Sequence, residues 1–586
     1  MKKILTYFKP YKRQSLLGPL FKLLEATFEL LVPFIVALIV DEGLGAFVEG
    51  MGYPNADKGY IAWMCGVLAL FGLVGLAFSV TAQYFSARAA VGVSAGVRSD
   101  LFKKLQSLSY QDIDKMGEAT MLTRMTSDVD KMQTGINLFL RLLLRSPFIV
   151  FGALVCACII DPASFGVFGG AILILAIVVY AVMLACMPLY KKTQAKLDKV
   201  LLSTRENLTG ARVLRAFCKE EDERNLFDTR NEELTKERRF VGGIAAITNP
   251  LTFVLVNIAI IVLLYTGALR VESGALTQGK VIALYNLMGQ ILIELIKLAN
   301  LIVTVAKAVA SAQRIEAVLK MEPSLEIVQD ENKGGMYEST DDFIVFEGVS
   351  ARYNEGGDDA LENISFTLKR GETLGVIGGT GSGKTTLVNL IPHFYDAREG
   401  SVKINGKDVK SAILQTYLRE KIGVVPQKAK LFKGTVRENL LWGRADASEE
   451  ELWAAAEIAQ AAEFIREKGG LDAPVEQGGK NFSGGQKQRL TVARALVRNP
   501  EILILDDSSS ALDYATDAEL RRGIRQLATT VIIVSQRASS VRDADKIIVL
   551  DEGKAVGMGT HEELMTSSEV YREIYFSQYE AEEVKA

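Results

Sequence analysis

Six apolar runs dominate the first half of the chain, at residues 16–40, 61–82, 138–159, 165–187, 251–269 and 281–305. Each is long enough to cross a hydrocarbon core about 30 Å thick. The intervals 83–138 and 190–250 are long and charged but nearly free of helix breakers, and no proline falls between Pro54 and Pro147. Apolar residues keep helical spacing in stretches such as VRSDLFKKLQSL, so the spans are expected to continue as helices well beyond the membrane. Short turns near 109–117 and 210–215 would join them and face a soluble domain. Pro33, Pro147, Pro188 and Pro250 are expected to kink helices, which a bundle tolerates. From Phe343 the pattern changes to short β-rich runs, FIVFEGV, ETLGVIG, IGVVP, EILILD and TVIIVS, alternating with helical segments. That alternation marks an α/β domain. The expected organisation is a six-span α-helical membrane domain over 1–318, a polar linker over 319–342, an α/β domain over 343–579 and a tail at 580–586.

Composition agrees with this division. The 586 residues exceed what one core can organise, and 49% of them are hydrophobic, with a mean hydropathy of +0.18. A net charge of −3 and a pI near 5.9 argue against nucleic acid as a partner. Lys2, Lys3, Lys9, Lys12 and Arg13 precede the first span, whereas the first loop, 41–60, carries mainly Asp and Glu. The positive flank places the amino terminus in the cytoplasm, and six spans return the α/β domain to the same side of the cell membrane. The start, MKKILTYFKPYKR, has too short an apolar part for a signal peptide and reads as an uncleaved interfacial helix. Cys65, Cys156, Cys158, Cys186 and Cys218 form no CxxC pair, so buried free thiols are expected.

Charges within spans are costly and mark function or pairing. Glu25 and Glu29 lie one turn apart in the first span, Glu294 and Lys297 three apart in the last, and Arg141 and Arg145 flank the third. Arg141 and Arg145 are expected to be paired or to reach headgroups; Glu25, Glu29 and Glu294 are candidates for lining a polar cavity.

The chemistry lies in the second half. GGTGSGKT at 378–385 follows a strand-like run and precedes a helix-like one, the context of a P-loop. Gly378, Gly379, Thr380, Gly381, Ser382 and Gly383 would cradle phosphates with backbone N–H groups. Lys384 would reach the β/γ-phosphates, the Thr385 hydroxyl would ligate Mg²⁺, and Thr386 continues the motif into the helix. Asp506, ending the hydrophobic strand ILILD, supplies the second group on the metal side.

NFSGGQKQR, centred on Ser483, Gly484, Gly485 and Gln486, distinguishes the chain from other P-loop enzymes. With the P-loop, Gln427 in VVPQ and Asp513 in SALD, it resembles the nucleotide-binding domain of ATP-binding cassette transporters. The six spans, the long cytoplasmic helices and RENLTGARVLRAFCKEEDE resemble an exporter half-transporter of the multidrug type. The resemblance implies ATP and Mg²⁺ as cofactors, a lipid bilayer, a small amphipathic substrate and a second half-transporter as partner. In that family each ATP lies between the P-loop of one chain and the signature of the other. By motif, Tyr353 would stack on adenine, and Gln427 would touch Mg²⁺ or the attacking water. Ser483, Gly484, Gly485 and Gln486 would meet the partner's γ-phosphate at a helix N-terminus, and Asp513 would contact the opposite site.

Two positions depart from the family pattern. Asp507 stands where a Glu usually orients or deprotonates the water, and Gln536 where a His usually grips the γ-phosphate. Asp507 is one methylene short, which sets its carboxylate back by more than about 1 Å, a misplacement worth on the order of 10²-fold in rate. Gln536 donates hydrogen bonds but carries no charge. The two histidines, His393 and His561, lie elsewhere, the second in a capping-box pattern with Thr560 and Glu563. The run VEQGGK is also unusual, and Glu476 and Gln477 receive no role. The expectation is a degenerate, ATP-holding subunit of a heterodimer that lends its intact signature to a competent partner site. A homodimer impaired at both sites, a lipid or peptide exporter, and an ATP-binding membrane sensor remain open.

Overall fold

The computed structural model describes residues 2–45, 56–325, 341–353, 356–411, 418 and 420–583. Contacts divide the chain into two units, one of residues 1–104 and 119–321 and one of residues 105–118 and 322–586.

The described residues of the first unit form helices joined by short turns. After α1 (Lys2–Thr6) and a short turn come α2 (Lys12–Leu38), α3 (Lys58–Ser107), α4 (Tyr110–Met116), α5 (Glu118–Thr123), α6 (Val129–Leu142) and α7 (Arg145–Ile160). They are followed by α8 (Ser164–Thr209), α9 (Ala211–Ala216), α10 (Glu220–Glu272) and α11 (Gln278–Lys320); of these, α4 clusters with the second unit. Among the described residues, five segments are long and apolar enough to cross a membrane. The sixth apolar run, 281–305, forms the middle of the 43-residue α11. At 1.5 Å per residue, the 50 residues of α3 reach about 75 Å, more than twice a hydrocarbon core. The spans therefore do extend as helices beyond the membrane. Pro33, Pro188 and Pro250 lie inside helices. Pro147 sits in the first turn of α7, where a missing N–H costs no helical bond, just after the chain breaks between α6 and α7.

The bundle core joins Ala26 and Leu30 of α2, Ile149 and Ala153 of α7, and Leu287, Met288 and Ile291 of α11. Small residues set the closest approaches: a Cβ on Gly135 would lie 2.1 Å from the Cβ of Ala308. Arg145 is buried and donates to Glu294 at 2.5 Å and to Glu29 at 2.6 Å, while Lys297 and Ser146 also reach Glu294, each at 2.8 Å. Pairing thus accounts for Arg145, and the same bonds engage Glu29 and Glu294, the carboxylates expected to line a cavity. Glu25 is engaged as well, by Lys22. All five cysteines are free, but only Cys186 is buried and Cys65, Cys158 and Cys218 are exposed. The expectation of buried thiols fails because Cys65 and Cys158 take outward-facing positions on apolar helices and Cys218 lies in the turn between α9 and α10.

The second unit carries an antiparallel sheet in the order β2-β1-β4-β5 and a six-stranded sheet in the order β12-β11-β3-β10-β9-β6. The first comprises β1 (Asp342–Ala351), β2 (Leu361–Lys369), β4 (Glu399–Ile404) and β5 (Lys407–Asp408). The second comprises β3 (Thr373–Gly378), β6 (Ile422–Val425), β9 (Ile502–Asp506), β10 (Thr530–Ser535), β11 (Lys546–Asp551) and β12 (Lys554–Gly559). In between, β7 (Gly434–Thr435) pairs with β8 (Pro474–Val475). Strands β3, β6, β9, β10 and β11 run parallel, and β12 is antiparallel at the edge. Every residue of β9 and β10 is buried, as strands covered on both faces require.

Candidate functional site

Four chain segments leave the carboxyl ends of neighbouring parallel strands at one edge of the larger sheet, where α/β folds bind ligands. After β3 comes the P-loop, after β6 Gln427, after β9 Asp507, and after β10 Gln536. Tyr353, Thr380, Gly381, Gly383, Lys384, Thr385, Thr386, Gln427, Asp506, Asp507 and Gln536 line one cleft of about 320 Å³. The P-loop conformation demands its glycines. Gly383 has φ 96°, and a Cβ there would lie 2.4 Å from the Ala360 carbonyl.

The P-loop turns into α12 (Lys384–Leu390). The Lys384 ammonium donates to the carbonyls of Gly378 at 2.9 Å and Gly379 at 2.5 Å and to the Ser382 hydroxyl at 3.3 Å. Burial holds its pKa below the ordinary ammonium range, against the pull of Asp507 and Asp506. The Thr385 hydroxyl donates to both oxygens of Asp506, at 3.1 and 3.2 Å. Burial raises the Asp506 carboxyl above its usual range, with the Thr385 bond opposing. A hydroxyl and a carboxylate, both hard oxygen donors side by side at the phosphate loop, fit Mg²⁺ completed by nucleotide phosphates and water. The Tyr353 hydroxyl shares a 3.0 Å hydrogen bond with Thr386, which holds its ring beside the loop.

Asp507 sits at φ 48°, its amide donating to the Val534 carbonyl at 2.9 Å, and its carboxylate accepts from Gln427 Nε2 at 3.2 Å. Asp is among the few residues that adopt this left-handed region readily. Gln536 is exposed at the end of β10. Neither histidine comes near it among the cleft residues: His393 pairs with Asp396 at 2.8 Å, and His561 meets the Tyr571 hydroxyl at 2.8 Å behind the Thr560/Glu563 capping box.

Ser483, Gly484, Gly485, Gln486 and Asp513 do not line the cleft. Ser483 is the N-cap of the helix Gly484–Val497 and forms a capping box with Gln486, so the signature is a helix N-terminus with exposed first-turn donors. That helix also reaches the segment of Gln427: Gln488 donates to the Pro426 carbonyl at 3.4 Å and Arg494 to that of Lys430 at 3.1 Å. Asp513 caps the helix Tyr514–Arg525 by accepting from the Thr516 amide at 3.0 Å, and that bond keeps its carboxyl below the usual range.

Sequence reasoning passes over three residues here. Arg537, next to Gln536, donates to the carbonyls of Leu512 at 3.0 Å and Ser510, bracing the loop that carries Asp513. Gln578 donates to the Gln536 carbonyl and accepts from the Ala538 amide. Tyr395 packs edge-on against Tyr353 with ring centroids 5.0 Å apart. Arg537 is signalled only by adjacency; the other two come from distant segments.

The family model for the ABC transporter transmembrane region matches residues 15–295, and that for the ABC transporter matches residues 361–510. An uncharacterized ABC transporter ATP-binding protein of Bacillus subtilis, YfiB, is 34% identical over 99% of both chains. An ATP-dependent lipid A-core flippase of Syntrophus aciditrophicus is 29% identical over 84% of this chain and 81% of its own length. A solved bacterial Atm1-family ABC exporter with ATP bound superposes with a TM-score of 0.79 over 97% of this chain and 98% of its own, at 23% identity. With near-full-length identity to such relatives and the exporter fold in both halves, the chain belongs to the ABC transporters.

Proposed function

We propose that this chain is one half of an ATP-driven exporter, with its amino terminus and nucleotide-binding domain in the cytoplasm, that moves hydrophobic or amphipathic molecules outward. It holds ATP with Mg²⁺ at its own weakened site and supplies Ser483, Gly484, Gly485 and Gln486 to the competent site of a partner half-transporter. The observation that carries this reading is the contrast within one domain. The cleft keeps Lys384, Thr385, Asp506 and Gln427, and the signature helix keeps its cap, while the positions expected to act on the attacking water and on the γ-phosphate hold Asp507 and Gln536. Asp513 and the signature lie off the chain's own cleft, which suits groups meant for an opposing chain. The exposed Leu208, Val213 and Phe217 around α9 supply apolar surface for such a partner.

ATP stacked on Tyr353 and clamped by the P-loop would close two nucleotide-binding domains on each other, and hydrolysis at the partner's site would reopen them. The test is steady-state ATPase of the chain alone against the chain with its partner. Low activity alone and full activity in the pair is expected; equal specific rates overturn the division of labour. The lipid A-core flippase among the relatives favours a lipid as a second substrate reading, distinguished by flipping of a labelled lipid as opposed to uptake of a labelled dye in inverted vesicles.

A further inference from the structure

The base-side tyrosine of the cleft is built into a second set of contacts that the phosphate chemistry does not use. The Tyr353 hydroxyl is shared with Thr386, and its backbone carbonyl accepts from Gln111 Nε2 at 3.1 Å. Its ring meets the edge of Tyr395 at an interplanar angle of 85°. Tyr395 in turn donates its hydroxyl to Asp114 at 2.6 Å, and the neighbouring Phe394 lies on the Tyr110 ring at a centroid distance of 4.7 Å. Gln111, Asp114 and Tyr110 all belong to the segment 105–118, which packs with the nucleotide-binding unit and is covalently continuous with α3 on one side and α5 on the other. That segment is rigid in its own right: Ser109 and Asp112 form a capping box, and Gly117 at φ 78° ends the helix. Burial and the Asp114 carboxylate keep the Tyr395 hydroxyl protonated far above the ordinary phenol range, so it is a permanent donor.

We propose that Tyr395 is a positioning residue that ties the base-binding Tyr353 to the segment 105–118, so that this segment responds to the nucleotide's base and not only to its phosphates. The inference rests on the reading of the cleft as an ATP site. A base on the accessible part of the Tyr353 ring restricts that ring, and the restriction passes to Tyr395 through the edge-to-face contact and to Asp114 through the hydroxyl. The steps from the Tyr353 ring to Tyr395 and from Tyr395 to Asp114 involve neither Gln427, Asp507 nor the P-loop, which Tyr353 meets through a separate bond to Thr386.

Hydrogen exchange on the full chain in lipid nanodiscs tests it, with residues 378–386 reporting occupancy of the phosphate loop and 105–118 reporting the response. Mg²⁺-ATP is expected to protect both segments, whereas Mg²⁺-tripolyphosphate, saturating by the protection of 378–386, leaves 105–118 exchanging about fivefold faster than with ATP. Tyr395→Ala is expected to show the same loss in 105–118 with ATP while 378–386 stays protected. Tyr395→Phe and Asp114→Leu, each of which removes the hydroxyl bond, should give similar and smaller losses. Full protection of 105–118 by tripolyphosphate, or in Tyr395→Ala with ATP, overturns the proposal. Failure of ATP to protect 378–386 in the unaltered chain instead overturns the ATP-site reading on which it rests.

Discussion

Gln427 donates from Nε2 to Asp507 Oδ2 at 3.2 Å, linking the ends of β6 and β9 across the mouth of the cleft. Asp507 is thereby held by a neighbour, and on the proposed reading a longer carboxylate there would extend toward the attacking water. Restoring reach and charge with Asp507→Glu and Gln536→His is expected to raise hydrolysis at this site by on the order of 10²-fold. The measurement is phosphate release from the paired complex with the partner's own base removed. An unchanged rate would mean that these positions do not limit the site.

Asp506 makes the metal-free site sensitive to pH. Burial raises its carboxyl in the folded state, so the folded protein binds more protons than the unfolded one across that window, and stability falls as pH rises through the folded pKa. Asp506→Asn is expected to raise the thermal midpoint of the soluble unit in EDTA at neutral pH. The gain should vanish at acid pH, where Asp506 is protonated in both states. Unfolding scans of both proteins across pH check this, and a pH-independent difference would contradict it.

Ser483→Ala separates the two roles of the domain. Loss of the N-cap costs about 1 kcal/mol of helix stability, but Ser483 does not line the chain's own cleft. Fluorescent ATP should bind the isolated chain with unchanged affinity, while ATPase of the paired complex falls on the order of 10²-fold. A parallel loss of both would argue against donation of the signature to a partner.

In the membrane unit, Arg145 holds Glu29 of α2 and Glu294 of α11 from α7. Arg145→Met leaves those carboxylates without it and is expected to cost about 3–5 kcal/mol. Adding Glu294→Gln should recover part of the loss, because without Arg145 the buried Glu294 carboxylate keeps only one of its two cations, Lys297. Thermal midpoints in detergent for the single and double variants decide it.

Much of the architecture was legible in the order of residues. Apolar runs long enough to span a bilayer satisfy their backbone as helices, and the scarcity of breakers carried those helices well past the apolar runs, as the 50 residues of α3 show. The P-loop, Gln427, Asp506 and the signature were readable because backbone geometry at a phosphate restricts residue types at fixed spacing. Local capping boxes at Ser483 and Thr560 were readable for the same reason, since their partners lie three residues away.

What required the fold is every relationship between residues far apart in the chain. Side-chain identity does not say that Arg145 reaches Glu29 and Glu294, that Arg537 braces the Asp513 loop, or that Gln427 turns to Asp507. Nor does it say that Tyr395 stands between Tyr353 and Asp114. By itself the sequence determined which segments are apolar and long enough to cross a membrane and which loop carries the P-loop pattern, because periodicity and local backbone chemistry act over a few residues. The tertiary structure alone decided which charges neutralise one another and how Tyr353 and Tyr395 meet the segment 105–118. Those contacts depend on how strands and helices pack, and hydrogen bonds and ring contacts act only over a few ångströms.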